Sequence, residues 1–360
     1  MEAGHRVVVS ALGETPLDAL AHHVALEPMA APEPATLGAA DVVVRIAAAQ
    51  VGWVDLIMTS GQYQHVPQPP YTPGLEYAGT VAWCGPEVTT CAVGDRVLVD
   101  GFAAGPRSSG RYRGWGGFAT YAVAPATAVL PIPGALDFAQ AACLLGNYET
   151  AYHCLIARGR LVARETVLIL GASGATGLAA VQVARQVGAR VIAVGRSPAK
   201  LAEVIAHGAD HAICLDGAPL RDQVRAITGD GVDVVYDGVG GELSHAALRC
   251  VRFGARYLIV GWAATPAVAA GKGGRGAPNA NHLPTNLIMM KGLDVLGCPT
   301  VIGTANQPAL RPPRLAAVLG WAAAGAISPH VSHRFPLTAW KDAMLAKWHG
   351  QVIGGCVVEP

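Results

Sequence analysis

The sequence predicts a two-domain α/β protein, an antiparallel barrel-like part followed by a doubly wound parallel sheet. Three observations carry that prediction. As far as about residue 130, strand-like runs alternate with Gly- and Pro-rich turns, the pattern of an antiparallel sheet. From Asp137 onward helical and strand patterns alternate, as a parallel sheet flanked by helices requires. Residues 167–188, V-L-I-L-G-A-S-G-A-T-G-L-A-A-V-Q-V-A-R-Q-V-G, pass from a buried-strand run through glycines at 171, 174 and 177 into a helix.

Composition sets the outer bounds. A chain of 360 residues can hold two cores. Hydrophobic content of 52% with 14% charged residues describes a packed globular chain and excludes a disordered one. A formal net charge of +1 gives no electrostatic basis for binding nucleic acid or an anionic membrane. No uninterrupted apolar run approaches the roughly 20 residues that span a bilayer. The opening M-E-A-G-H-R-V-V-V-S lacks a signal peptide's layout, so a soluble cytoplasmic protein is expected. The eight cysteines are scattered and no C-x-x-C occurs, so buried reduced thiols are expected rather than a zinc ribbon or a local dithiol pair.

In chain order, the first part opens with a strand at Arg6–Ser10, then a turn and polar, proline-rich segments as far as Leu37. A strand is expected at Asp41–Ala48 and a short helix in V-G-W-V-D-L-I-M-T-S-G-Q-Y, ending at Gly61. A loop with Pro67, Pro69, Pro70 and Pro73 leads into G-L-E-Y-A-G-T-V-A-W. Val93–Val99 and Gly117–Val123 read as strands separated by a basic, glycine-rich loop, 101–116. In the second part residues 137–157 read as helical. Strands recur at Val167–Leu170, Arg190–Val194, His211–Cys214, Val232–Tyr236, Arg256–Val260 and Leu293–Gly297. Helices fit at 174–187, 198–207 and 241–252, a Gly/Pro/Ala-rich loop spans 263–285, and the tail 305–360 returns to short helices and strands.

The glycine turn is the first functional signal. A strand, a glycine turn and a helix together present backbone N–H groups and a positive helix end to a phosphate. That makes Gly171, Ser173, Gly174, Ala175, Thr176 and Gly177 the candidate phosphate cradle. In the helix that follows, Gln182, Arg185 and Gln186 share one face, and Leu178, Val181 and Ala184 the apolar one. A unit that binds NAD usually carries Asp or Glu at the end of its second strand, for the ribose 2′-hydroxyl. Here that strand ends in Gly195-Arg196-Ser197-Pro198-Ala199-Lys200. With no acid, and with Arg196, Ser197 and Lys200 where a 2′-phosphate would lie, the expected cofactor is NADPH.

Set beside these, D-L-I-M-T-S-G-Q-Y (55–63), P-G-L-E-Y-A-G-T-V (73–81), V-G-D-R-V (93–97) and G-G-F-A-T-Y-A-V (116–123) carry a resemblance. So do L-G-N-Y-E-T-A-Y (145–152), V-V-Y-D-G-V-G-G (234–241) and N-L-I-M-M-K-G-L-D-V-L-G (286–297). The chain resembles the medium-chain dehydrogenase/reductase superfamily, and within it the zinc-free quinone oxidoreductase group, over residues 5–358. The resemblance implies a Rossmann domain inserted in a GroES-like catalytic domain, with boundaries expected at 1–130, 131–300 and 301–360. It also implies homodimers joined edge to edge, with Leu293–Gly297 the candidate shared strand.

The resemblance further implies site residues. Zinc members have Cys where this chain has Gly52 and His where it has Leu75, and a third ligand position falls near Asn147; no metal is therefore expected. Glu76 remains from the G-H-E motif as a carboxylate that holds a loop. Asn147 and Thr150 open the helix that faces the nicotinamide; Tyr236, Asp237 and Gly238, and Val260, Gly261 and Trp262, end later strands at the cofactor crevice. Tyr63, in a G-x-Y motif, matches a proton donor of related enoyl-thioester reductases, with His65 beside it and Asp55 as a second catalytic candidate that braces the loop. Asn and Tyr, common in quinone reductases at the Gly52 and Ile57 positions, are absent, which allows a more apolar substrate. Arg107, Arg111 and Arg113 form either a solvated loop or a site for an anionic substrate such as an acyl-CoA.

Without zinc, an isolated carbonyl is a poor hydride acceptor, whereas a quinone or α,β-unsaturated carbonyl spreads the incoming charge by conjugation. The leading expectation is an NADPH-dependent, zinc-independent reductase of such small molecules. Its alternatives are an enoyl-thioester reductase, a non-catalytic NADPH-binding redox sensor and, last, a zinc alcohol dehydrogenase.

Overall fold

A computed structural model describes residues 1–65, 67–108, 110–263 and 281–360. The strands are β1 Gly4–Val9, β2 Val24–Met29, β3 Asp41–Gln50, β4 Tyr77–Cys84, β5 Arg96–Val99, β6 Tyr121–Pro125 and β7 Val129–Pro131. They continue as β8 Thr166–Leu170, β9 Arg190–Gly195, β10 His211–Cys214, β11 Val232–Asp237, β12 Val251–Ile259, β13 Asp294–Gly297, β14 Val331–Pro336 and β15 Gly355–Glu359. The helices are α1 Pro16–His22, α2 Trp53–Met58, α3 Phe138–Ala142, α4 Leu145–Tyr152, α5 Ala175–Val187 and α6 Pro198–Ala206. After them come α7 Leu220–Thr228, α8 Glu242–Ala247, α9 Thr285–Met290, α10 Thr300–Asn306, α11 Arg311–Ala323 and α12 Trp340–Trp348.

The chain divides into two compact units. The first is Met1–Gly146 with Ala322–Pro360, and the second comprises residues 147–263 and 281–321 of the described chain. These breaks fall later than the expected 130/131 and 300/301. The reason is packing: α3 lies against β3 and β4, and so belongs to the sheet that precedes it.

In the first unit a seven-stranded sheet runs in the order β14-β15-β3-β4-β5-β7, with β6 paired to β3. β3 is its spine, pairing antiparallel with β4, β6 and β15. The alternation read from the sequence is answered by a core of Val42, Val44, Val81, Val97, Phe118, Val123 and Val358. Both chain ends contribute, since β15 comes from the C-terminus and β1 pairs with β2 and bridges to Ala119 and Tyr71.

The second unit is a six-stranded sheet in the order β10-β9-β8-β11-β12-β13, all parallel. The strand order reverses between β8 and β11, and at such a switch point the carboxyl ends of the strands open a crevice for a ligand. Val167, Leu168, Ile169, Val191, Ile192, Val234 and Val235 are fully buried, which is what uninterrupted apolar runs in a sheet covered on both faces require. This is the GroES-like plus Rossmann-like architecture the resemblance implies.

Several readings need correction. Residues 16–29, taken as turn and polar segment, form α1 and β2; Thr15 caps α1, its hydroxyl accepting from Asp18 N at 3.1 Å. Helix α7 had no counterpart in the sequence reading. Of the three polar residues that share one face of α5, Gln182 is buried, and its amide oxygen accepts from the Tyr148 hydroxyl at 2.9 Å. Most of the loop expected at 263–285 lies outside the described residues.

Candidate active site

The glycine turn joins β8 to α5. Gly171 has φ +66°, a conformation that favours glycine. A Cβ on Gly177 would lie 2.4 Å from the Gly171 carbonyl oxygen and 2.9 Å from Ala172 Cα, so only glycine lets α5 start this close to the turn. Gly174 occupies the N-cap position of α5 and offers no side chain to the first-turn N–H groups. Those groups have no intrahelical acceptor. Gly174 is exposed while Ala172 behind it is buried, so the uncapped N–H groups of Ala175, Thr176 and Gly177 belong to an open turn. This cradle fits a dinucleotide's pyrophosphate, held by backbone N–H groups and the helix end.

β9 ends at Gly195, where a Cβ would meet the Leu201 side chain at 3.1 Å. Arg196 is exposed and Lys200 half-buried. Ser197 caps α6, its hydroxyl accepting from Lys200 N at 3.4 Å. That bond uses one lone pair of the hydroxyl and leaves its proton for another acceptor.

Other expected cofactor residues divide. Asn147 is buried and Thr150 half-buried on α4; Gly261 and Trp262 are half-buried after β12. Asp237 is 1% exposed and its carboxylate is fully engaged. Oδ1 accepts from Val239 N and Gly240 N, both at 2.9 Å, and Oδ2 from the Tyr257 hydroxyl at 2.7 Å and from Ser244 Oγ. A carboxylate has about four lone-pair positions. The expected cofactor role of Asp237 therefore does not extend to its side chain, which braces the loop after β11.

In the first unit, the loop from α2 to β4 is organised by Asp55. Its carboxylate accepts from Gly52 N at 2.9 Å, Gly74 N at 3.0 Å and Leu75 N at 3.1 Å. Burial raises its pKa to about 6, although those three N–H groups and the Arg107 charge pull it down. Tyr63 packs with Met58 and Leu75, with Val54 and Ile57 at the margin, and its ring centroid lies 5.9 Å from that of His65. Burial raises the Tyr63 phenol above its usual pKa; Arg107 opposes the shift while Glu76 and Asp55 add to it. The Glu76 carboxylate lies against Gly146, where a Cβ would sit 2.2 Å from Oε1.

The basic loop separates into different roles. Arg111 pairs with buried Asp41, which also accepts from the Tyr112 hydroxyl at 2.6 Å, so Arg111 is structural. Arg113 is exposed. Arg107 lies with its guanidinium 5.3 Å from the Phe102 ring centroid, and its charge acts on both Asp55 and Tyr63. Its composition gave that away only as one arginine of three. Sequence reading missed Lys347 on α12, whose pKa burial lowers while the neighbouring Cys356, Cys143 and Asp55 oppose the shift. It also missed buried Glu149, held by Arg311 at 2.9 Å and Arg314 at 2.8 Å. Glu149 lies in L-G-N-Y-E-T-A-Y, but its partners Arg311 and Arg314 are more than 160 residues away, and Lys347 sits in no motif.

A catalytic zinc needs three N, S or O ligands. Gly52 has no side chain and Leu75 is a buried aliphatic one, so the implied ligand positions do not fit the metal.

Comparison with known proteins adds relatives. A family model described as alcohol dehydrogenase GroES-like domain matches residues 38–134, and one described as zinc-binding dehydrogenase matches residues 175–306. Quinone oxidoreductase-like protein 2 of Mus musculus is 30% identical over 315 residues, covering 87% of this chain and 83% of that protein. A homolog from Nematostella vectensis is 33% identical over 263 residues, covering 72% of this chain and 65% of that protein. Among solved structures, a probable oxidoreductase from Mycobacterium abscessus superposes with a TM-score of 0.80 at 29% identity, over 99% of both chains.

Proposed function

The chain belongs to the medium-chain dehydrogenase/reductase superfamily, in its quinone oxidoreductase group, and is an oxidoreductase; on that premise we propose that it reduces quinones or α,β-unsaturated carbonyls with NADPH and without zinc. The observation that carries this reading is the end of β9, where Gly195 replaces an acid and Arg196 and Lys200 follow. Arginine offers a planar fork to a 2′-phosphate and lysine a point charge, while an acid there would repel it. The N–H groups of Ala175, Thr176 and Gly177 hold the pyrophosphate, with Gly171, Ser173 and Gly174 shaping the turn. Asn147, Thr150, Gly261 and Trp262 are assigned to the nicotinamide half.

When bound, NADPH supplies a hydride at its nicotinamide C4. The protein must then hold the acceptor, stabilise developing negative charge on its oxygen and deliver a proton. Tyr63 is assigned the proton: its phenol, shifted upward by burial, stays protonated at neutral pH and so remains a donor. Arg107 adds positive charge beside it. Asp55 acts through the loop, as a positioning residue that fixes Gly74 and Leu75. The absence of zinc donors at positions 52 and 75 favours conjugated acceptors, because conjugation does the charge spreading a metal would otherwise do.

The protein acts on a small molecule, and the cytoplasm is its proposed location. Among the described residues no helix is long and apolar enough to cross a membrane. β13 pairs only with β12 among the described strands, and its residues are half or fully exposed, which supports a homodimer joined along that edge.

The reading is tested by following NADPH oxidation over a panel of quinones, enones, enals and enoyl-CoA esters. Turnover on quinones or enones is expected. Turnover confined to enoyl-CoA esters would transfer the assignment to an enoyl-thioester reductase, and tight NADPH binding with no turnover to a non-catalytic sensor.

A further inference from the structure

Two cysteines that no short motif links are brought together in the first unit. Cys84 ends β4, opposite Val42 of β3. Cys91 returns after the turn formed by residues 85–90, and the two sulfurs lie 4.0 Å apart, with Cys84 Sγ 3.7 Å from the Cys91 carbonyl oxygen. Backbone hydrogen bonds fix the turn on both sides. Gly85 N donates to Asp41 O at 2.8 Å, Glu87 N to Ala39 O at 2.9 Å, and Gly94 N to Val81 O at 2.9 Å. Both sulfurs are therefore presented by a restrained frame, and the gap to a disulfide, about 2 Å, is within reach of side-chain rotation.

Exposure distinguishes this pair. Cys143, Cys154, Cys250, Cys298 and Cys356 are buried, and Cys214, the remaining half-exposed thiol, is on β10 in the second unit. Only Cys84 and Cys91 combine a neighbouring sulfur with access to a solute. The buried pair Cys154 and Cys298, hydrogen-bonded to each other, is shielded and serves as an internal control.

We propose that Cys84 and Cys91 form an oxidisable dithiol that closes to an intramolecular disulfide when the protein meets hydrogen peroxide. The Cys91 thiolate attacks one peroxide oxygen: an S–O bond forms, the O–O bond breaks, and the departing hydroxide takes a proton to become water. The sulfur of Cys84, losing its proton, then attacks the Cys91 sulfenic sulfur; the S–S bond forms, the S–O bond breaks and a second water leaves. Two electrons pass from the two sulfurs to one peroxide. Burial and the Cys91 sulfur beside it raise the Cys84 thiol, with Asp95 adding to the shift; the disulfide formed is the same whichever sulfur is oxidised first. Cys84 lies seven residues beyond Tyr77 at the other end of β4, about 23 Å at roughly 3.3 Å per residue. Closure at that distance from the Asp55 loop leaves turnover unchanged. The proposal is independent of the substrate assignment.

The test treats the full-length protein with hydrogen peroxide, alkylates the remaining thiols after denaturation, and maps the products by mass spectrometry. Cleavage after Glu87 separates the two cysteines. The expected result is a pair of fragments joined until a reductant is added, with the other cysteines alkylated. Cys84→Ser and Cys91→Ser should each abolish the link, and Cys214→Ser should leave it. Full alkylation of Cys84 and Cys91 while Cys214 oxidises, a link through any other cysteine, or oxidation that stops at sulfinic acid on either residue would overturn it.

Discussion

The glycine turn at 171–177 and the loop running from Asp55 to Leu75 both position polar backbone, by opposite means. In the turn the work is done by side chains that are missing. Gly174 leaves the start of α5 uncapped, and Gly177 lets that helix approach the Gly171 carbonyl. In the loop one side chain does it: the Asp55 carboxylate gathers N–H groups from Gly52, Gly74 and Leu75, the last of them 20 residues away. The first site is damaged by adding atoms and the second by removing them. Their response to pH also differs, since only the second contains a buried titratable group.

That last difference gives the largest expected effect. A carboxyl whose folded pKa, about 6, lies above its ordinary 3.8 binds more protons folded than unfolded between those values. Its contribution to stability is full below about pH 4 and is lost as pH rises through about 6, on the order of 3 kcal/mol. Denaturant unfolding at a series of pH values should show this loss in the wild type and a flattened profile in Asp55→Asn. An equal slope in both would remove Asp55 from the account.

In the turn, Gly177→Ala puts a methyl 2.4 Å from a backbone oxygen, so turn and helix must separate. NADPH affinity should fall about a hundredfold, equivalent to roughly 2.7 kcal/mol, by fluorescence titration; unchanged affinity would place the pyrophosphate elsewhere. In the loop, Tyr63→Phe keeps the packing with Met58 and Leu75 and deletes only the phenol proton. Turnover on the best acceptor should drop by roughly a hundredfold with little change in stability, and an undiminished rate would assign the proton to another group. Smaller again, Arg196→Ala combined with Lys200→Ala should weaken NADPH by about tenfold more than NADH.

The two regions also differ in how far the sequence revealed them. The turn could be read because its function lies in backbone conformation and close approach, and glycine spacing records both locally. The central parallel strands β8, β9 and β11 could be read for the same reason, since a strand buried on both faces must be apolar throughout. Asp55, Tyr63 and Glu76 could be named only through a resemblance, and their surroundings could not be. Arg107 differs from Arg111 because Asp41, far back in the chain, takes one and not the other. Asp237 looked like a cofactor contact until Tyr257 and Ser244 proved to occupy its oxygens. Gln182 could be placed on the polar face of α5, but its buried partner Tyr148 could not be foreseen. Helix α7 escaped because its apolar stripe, Leu220, Val224 and Ile227 at i, i+4 and i+7, spans only nine residues.

The central claim joins the β9 end to the missing zinc ligands, and a single kinetic comparison tests both. After exhaustive dialysis against a chelator, kcat/KM is measured for NADPH and for NADH with the best quinone or enone found. NADPH should be favoured by at least about tenfold, with rates unaffected by the chelator. Equal use of the two cofactors, or activity lost on dialysis and restored by zinc, would contradict it.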